Sequence, residues 1–288
     1  MKKIIKVATV VLTIILTMAL VGCVSPYTYD NASAYIKGGT MLSNTQTVNE
    51  IEIDWVSGSV EVKYGDVENV TISETANNLT DANQLRYKVE NGSLSIKFCK
   101  SGANSSNVGS KALLVILPTD LRLNELSIDM IDGEISVNSV RAISIEVESV
   151  SGDVTLTDCT ANEVDVESVS GDVLISGEIS DLGVESTSGE IECVVSLAQV
   201  IDINSTSGSV ELTPVGSMPL SLEVESVSGD VRLTLIPADF SIKYQTTSGD
   251  FYCEYPTTTD GNVYSYGEGA NLFEIKTISG DLKVYEIE

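Results

Sequence analysis

Glu148-Ser149-Val150-Ser151-Gly152-Asp153-Val154 decides how the chain is read, because near-copies of it recur almost to the C-terminus. They read Glu167-Ser168-Val169-Ser170-Gly171-Asp172-Val173, Glu185-Ser186-Thr187-Ser188-Gly189-Glu190-Ile191, Asn204-Ser205-Thr206-Ser207-Gly208-Ser209-Val210 and Glu225-Ser226-Val227-Ser228-Gly229-Asp230-Val231. Later copies centre on Ser248-Gly249-Asp250 and Ser279-Gly280-Asp281, and weaker ones on Ser57-Gly58-Ser59 and Asp132-Gly133-Glu134. From Gly133 onward the glycines lie 19, 19, 18, 19, 21, 20 and 31 residues apart. A period near 20 that tolerates small insertions marks stacked coils.

The flanks of each copy alternate. Ile143, Ile145 and Val147 form one row, Ser144, Glu146 and Glu148 the other, and Val154 and Leu156 resume the apolar row past the glycine. Period 2 on both sides of a fixed glycine predicts strand, corner, strand. The glycine suits positive φ or close backbone approach, and the neighbouring Ser and Asp suit bonds to nearby backbone. Two short strands cannot enclose an apolar row alone, so the units must share one core. The expectation is an all-β solenoid of about ten coils, stacked at about 4.8 Å, with Val173 between Val154 and Ile191. A propeller would need blades of about 40–50 residues, roughly twice this period.

Toward the N-terminus, Lys2, Lys3 and Lys6 precede an apolar run over 7–21, the pattern of an export signal. It ends in Leu20-Val21-Gly22-Cys23, a lipobox-like sequence in which Cys23 takes a lipid and becomes the mature N-terminus. The predicted organisation is a signal peptide over 1–22, a lipidated Cys23 and flexible tether over 23–47, and a repeat domain over 48–288. The protein is then anchored in lipid on the outer side of the cytoplasmic membrane without spanning it. Asn91-Gly92 between alternating flanks predicts a hairpin, and 100–111 reads as a polar loop. The 31-residue spacing reads as an inserted loop whose Tyr252, Tyr255, Tyr264 and Tyr266 are ligand-binding candidates, with end-capping as the competing reading. The last strand, from Leu282, reads as a charged open edge of the stack.

The formal charge is −26, from 16 basic and 42 acidic residues, and loss of Lys2, Lys3 and Lys6 makes it −29. Such a rod repels nucleic acid and attracts cations and basic proteins. With no histidine in the chain, Ser-His-Asp and Cys-His catalysis are excluded. Cys193 and Cys253 fall on core positions of the repeat, and no Cys-x-x-Cys occurs. The acids after the corner glycines, Asp153, Asp172, Glu190, Asp230, Asp250 and Asp281, form a column that is a candidate Ca²⁺ site, against the alternative of a solvated acidic edge. Ser209 interrupts that column. A second outward column is Glu148, Glu167, Glu185, Asn204 and Glu225, beside stacked serines expected to form a hydroxyl ladder.

With lipobox, tether and repeated Ser-Gly-Asp corners together, the chain resembles a bacterial family of β-strand-repeat lipoproteins known as "putative adhesins". The resemblance covers about 48–288 and implies a single-domain β-solenoid at the cell envelope, with no catalytic residues to carry over. The expected function is a non-enzymatic envelope lipoprotein that presents an extended surface to a protein or glycan. The alternatives are a scaffold in envelope-stress sensing, which the resemblance suggests, and a polysaccharide-active β-helix enzyme using paired carboxylates, for which no cofactor other than Ca²⁺ is expected.

Overall fold

The structure is a computed structural model that describes residues 26–38, 48–104, 109–269 and 271–287. Export signal and Cys23 lie outside the described residues. The first strands are β1 (Ile36–Lys37), β2 (Glu50–Gly65), β3 (Thr71–Thr75), β4 (Arg86–Glu90), β5 (Ser93–Lys97), β6 (Lys111–Pro118) and β7 (Leu123–Asn138). The regular repeats give β8 (Ala142–Ser151), β9 (Val154–Ser168), β10 (Val173–Ser188), β11 (Ile191–Ser196), β12 (Val200–Ser207), β13 (Val210–Val215), β14 (Ser221–Ser228) and β15 (Val231–Leu235). The last are β16 (Phe240–Gln245), β17 (Phe251–Cys253), β18 (Thr258–Asp260), β19 (Val263–Tyr266), β20 (Leu272–Ser279) and β21 (Leu282–Glu286).

These strands stack as a β-solenoid because each rung presents the same apolar row to the same interior. Val154, Val173 and Ile191 are in parallel register, as are Leu156, Ile175 and Cys193. All six side chains are buried. One correction falls at the start of the repeat: Ala142 and Ile145 point inward and Ile143 is exposed, so strict alternation begins only at Ile145. Each rung therefore changes direction just before that point. The bend carries a second column of positive φ, at Ser139, Asp158, Gly177, Leu197 and again at Gly216. Three of these five residues are not glycine, which is why no turn signal announces the column.

In space the parallel rungs run β5/β6, β2, β7, β8 with the start of β9, the rest of β9 with the start of β10, the rest of β10 with β11, β12/β13, β14/β15, β20/β21 and β16/β17. That makes ten, as the repeat count predicts, but not in chain order. At the C-terminal end the chain passes to the outermost rung and returns to fill the place inside it; at the N-terminal end it fills the second rung first, moves out to the outermost, and then crosses to the third. Gly280 accordingly packs on Gly229, and Gly249 packs on Gly280. Hence β21 is no open edge; it pairs with β15 on one side and β17 on the other.

Antiparallel strands close the two ends. Strands β3 and β4 run against β6 and β5, with Asn91-Gly92 as the predicted tight turn, and β19 runs against β16. An antiparallel strand cannot present the corner geometry the parallel rungs share, so it ends the array. Under the first cap, Trp55 and Phe98 pack edge to face with centroids 5.0 Å apart, and the fully buried Lys111 ammonium lies 4.7 and 4.2 Å from their ring centres. Burial pushes that ammonium's pKa down, while Glu74 at 2.8 Å supports its charge.

The tether expectation needs correction over 26–38, which lies against this end of the stack. Strand β1 pairs antiparallel with β4, and the backbone of Tyr27 pairs with Ala103. The Tyr29 hydroxyl donates to the Cys99 carbonyl at 3.3 Å, and Tyr27, Tyr29 and Tyr35 contact one another in sequence. The tyrosines supply apolar area that composition alone, rich in Ser, Asn and Gly, conceals.

Candidate binding groove

A groove of about 860 Å³ runs along the stack on the strand face that precedes the corner glycines. One wall is the outward column Asp54, Asp129, Glu148, Glu167, Glu185, Asn204, Glu225 and Lys276, in register across eight successive rungs. The other wall is two residues further along each rung and is built from β-branched side chains, among them Ile131, Val150, Val169 and Val227. Between the walls lie Ser149, Ser168, Ser186, Ser205 and Ser226, all buried. At about 4.8 Å per rung the groove spans roughly 34 Å.

The serines do not form the hydroxyl ladder expected of them. Ser205 and Ser226 donate, at 3.4 Å, to the carbonyls of Gly208 and Gly229 in their own corners. The hydroxyls of Ser149, Ser168 and Ser186 have no hydrogen-bond partner among the described residues, and neither has Oε2 of Glu167. A buried polar atom without a partner costs roughly 1–3 kcal/mol, so this stretch of groove holds unmet hydrogen-bonding capacity.

Among the described residues, the acidic wall is neutralised only at its ends. Lys97 reaches back to Glu52, at 2.7 Å, and to Asp54. Lys276 bridges Glu223 and Glu225 at 2.5 and 2.8 Å. Asp129, Glu148, Glu167 and Glu185 between them form no ion pair among the described residues. Burial first, and then Glu148 and Glu185 on the adjoining rungs, push the Glu167 carboxyl up to about 7. Asp129, though open to water on one side, is pushed up to about 7 by burial and by Asp54 and Glu148. Asp165 rises to about 6, and Glu148, Glu185 and Asp202 rise as well, each through burial first. A cation laid along this wall would screen the repulsion between the carboxylates and favour their charged form against the cost of burial.

The other candidate residues have structural work. In the column after the corners, Oδ1 of Asp153 accepts the Asp172 N–H at 2.9 Å and Oδ1 of Asp172 accepts the Glu190 N–H at 2.8 Å. Asp230 and Asp281 do the same for Asp281 and Asp250. Each carboxylate thus ties its rung to the next, a role between rungs that spacing along the chain does not reveal. No group of three or more acidic or cysteine side chains converges to hold a metal among the described residues. Tyr255 is buried and donates to the Leu235 carbonyl at 2.7 Å. Tyr264 stacks on Phe251 at 3.8 Å and Tyr266 packs on Phe240 at 5.6 Å, so these three tyrosines build the C-terminal cap; Tyr252 is exposed beside Tyr285. The four cysteines described, Cys99, Cys159, Cys193 and Cys253, are free.

The model of the family described as Toastrack DUF4097 matches residues 48–285. No curated protein matches the chain. Among solved structures, a "putative cell adhesion protein" from Clostridium sporogenes is 14% identical, over 88% of this chain and 100% of that one, with a TM-score of 0.27. A "putative adhesin" from Bacteroides fragilis is 13% identical over 84% and 93%, with a TM-score of 0.46. Another from Parabacteroides merdae is 13% identical over 88% and 95%, with a TM-score of 0.41. At such scores the superpositions are too loose to transfer a site or a ligand.

Proposed function

Because the chain belongs to the Toastrack DUF4097 family, whose model spans the rungs and corners described above, we propose that it is an extracytoplasmic lipoprotein, anchored through Cys23, that uses its solenoid to bind an extended partner, protein or glycan, at the cell envelope. The observation that carries the binding reading is the axial groove, with its unneutralised acidic wall and partnerless hydroxyls. A surface that merely kept the rod soluble would have no need of an exposed apolar column alongside; Val227 is 45% exposed and Ile278 55%. Capture from detergent-solubilised envelope on immobilised protein tests the reading. The wild type should retain a partner that Glu167→Arg, which sets a cation across the groove, does not. Identical retention by both would refute it. The anchor is tested separately by metabolic labelling with a fatty-acid analogue, which Cys23→Ala should abolish.

A second reading, a polysaccharide-active enzyme, finds support in the raised carboxyl of Glu167, since an acid of that kind can protonate a leaving group. The geometry is against it. Hydrolysis of a glycosidic bond places carboxyls on both sides of that bond, whereas here they all stand on one wall and face methyl groups. A turnover screen on cell-wall and host glycans should show no activity that depends on Glu167.

A further inference from the structure

The chain contains its own example of what the acidic wall accepts. Lys276 occupies the acidic column on the rung next to Glu225, and its ammonium returns to bridge Glu223 and Glu225 at 2.5 and 2.8 Å. At the other end Lys97 does the same for Glu52 and Asp54. In both places one lysine ammonium satisfies two carboxylates of a neighbouring rung. Between them, Glu146 with Glu148 and Asp165 with Glu167 offer the same pair of carboxylates on one rung, flanked by Asp129 and Glu185, with no cation supplied by the described residues. The opposite wall adds a second constraint. It is β-branched and mostly apolar, with Ile131, Val150, Val169, Val227 and Ile278 broken by Thr187 and Thr206, and it runs beside the charged wall.

A ligand that satisfies both walls must carry cations along one edge and apolar groups along the other. Polyamines place charge and methylenes on the same line and leave the β-branched wall unused. A neutral glycan leaves the carboxylates unpaired. An extended peptide separates its side chains to opposite edges at every second residue. Resting on the reading of the groove as the binding surface, we infer that its occupant is an extended segment of a partner protein in which Lys or Arg alternates with apolar residues. The cationic residues lie on the wall of Asp129, Glu148, Glu167 and Glu185, and the apolar residues lie on that of Ile131, Val150 and Val169. About eight residues, some 27 Å at roughly 3.4 Å each, cover the distance from Asp54 to Glu225, six rung steps of about 4.8 Å. Lysine side chains are long and flexible enough to absorb the difference between the two repeats.

Fluorescence anisotropy with three labelled octapeptides, titrated with the purified protein, tests this. The first peptide alternates lysine with valine throughout. The second has the same composition in two blocks, all lysines before all valines. The third alternates lysine with serine, and so keeps the spacing and charge without the apolar edge. The alternating Lys-Val peptide should bind at least about tenfold more tightly than either control, a difference of about 1.4 kcal/mol. Glu148→Gln and Glu167→Gln together should weaken it by a similar factor and reduce its salt dependence. Val169→Ser should weaken binding of the alternating Lys-Val peptide and leave that of the Lys-Ser peptide unchanged. These positions line the groove, and the Gln variants remove like-charge repulsion, so a melting temperature at or above that of the wild type verifies their fold. Equal binding of all three peptides, or displacement of the bound peptide by a neutral cell-wall oligosaccharide, overturns the inference while the groove remains a binding surface. Binding that none of the substitutions alters overturns both.

Discussion

Replacing Gly171 by alanine tests the closeness of the corner column. Gly171 has φ +120°, and a Cβ there would lie 2.3 Å from the Gly152 carbonyl oxygen and 2.5 Å from its carbon. Two costs add. Holding an L-residue at that φ costs about 1–3 kcal/mol. The overlap is with backbone, so the rungs must separate by about 1 Å to restore a contact near 3.5 Å. That shift stretches the Gly152 N–H to Ser170 carbonyl bond of 2.9 Å and the Val154 N–H to Asp172 carbonyl bond of 2.9 Å, each worth about 0.5–1.5 kcal/mol. The total is about 3–5 kcal/mol. Gly216→Ala is the control. Its φ is +83° with nothing within 4 Å of the added Cβ, and Leu197 already takes φ +62° at the matching bend of the preceding rung. That substitution should cost about 1–2 kcal/mol. Urea unfolding followed by circular dichroism measures both on the same protein. A loss for Gly171→Ala no larger than for Gly216→Ala would mean that the corners are not in contact and that the column described here is wrong.

Val173→Asp should remove about 1.5–3 kcal/mol of burial and leave a carboxylate without a partner, whereas Asp172→Ser should cost about 1 kcal/mol through loss of the bond from the Glu190 N–H; thermal melts that rank them the other way would reverse the two faces of the strand. Lys111→Met should cost about 3–5 kcal/mol because Glu74 is left buried and unpaired, and Lys111→Met combined with Glu74→Leu should recover most of it in denaturant titrations. Stability should fall as pH rises from about 4 to about 7. In that window the folded protein keeps protons on Glu167, Asp129 and Asp165 that the unfolded chain, with ordinary carboxyl pKa values near 4, has released. The melting temperature at pH 5 should accordingly exceed that at pH 8, and Glu167→Gln should narrow the gap. Glu52 and Asp230, whose pKa values are lowered, act in the opposite sense only below pH 4.

What sequence conveys about this molecule follows from how local each signal is. The corner at Gly152 and the row of Val154 and Leu156 are written within a dozen residues and recur, so fold and inward face were legible. The order of the end rungs was not, because every rung has the same pattern: nothing in Ser248-Gly249-Asp250 says that Ser279-Gly280-Asp281 will lie between it and Ser228-Gly229-Asp230. The 31-residue gap looks the same whether the chain throws out a loop or crosses the end of the stack and returns. The columns of Glu148 and Ser149 were both visible, but the groove was not, since it depends on the path of the rung between strand and corner. Tyr255 read as a loop aromatic because the strand it covers, β15, is joined to it only in space.

The crossing of the chain past a neighbouring rung at both ends bears on how such a protein can lengthen. In an array whose first and last units are terminal in space, a duplicated unit is appended at an end and stacks on what is there. Here the outermost rungs are already sealed by antiparallel strands, and the strands that follow or precede them in sequence are held between neighbours. A new coil has a place only where chain order and spatial order agree, from β7 to β14, which is also where the repeat is most regular. Duplication there lengthens the acidic and apolar walls together by whole rungs and leaves both caps untouched, so the reach of the groove can change in lineages without any redesign of the ends.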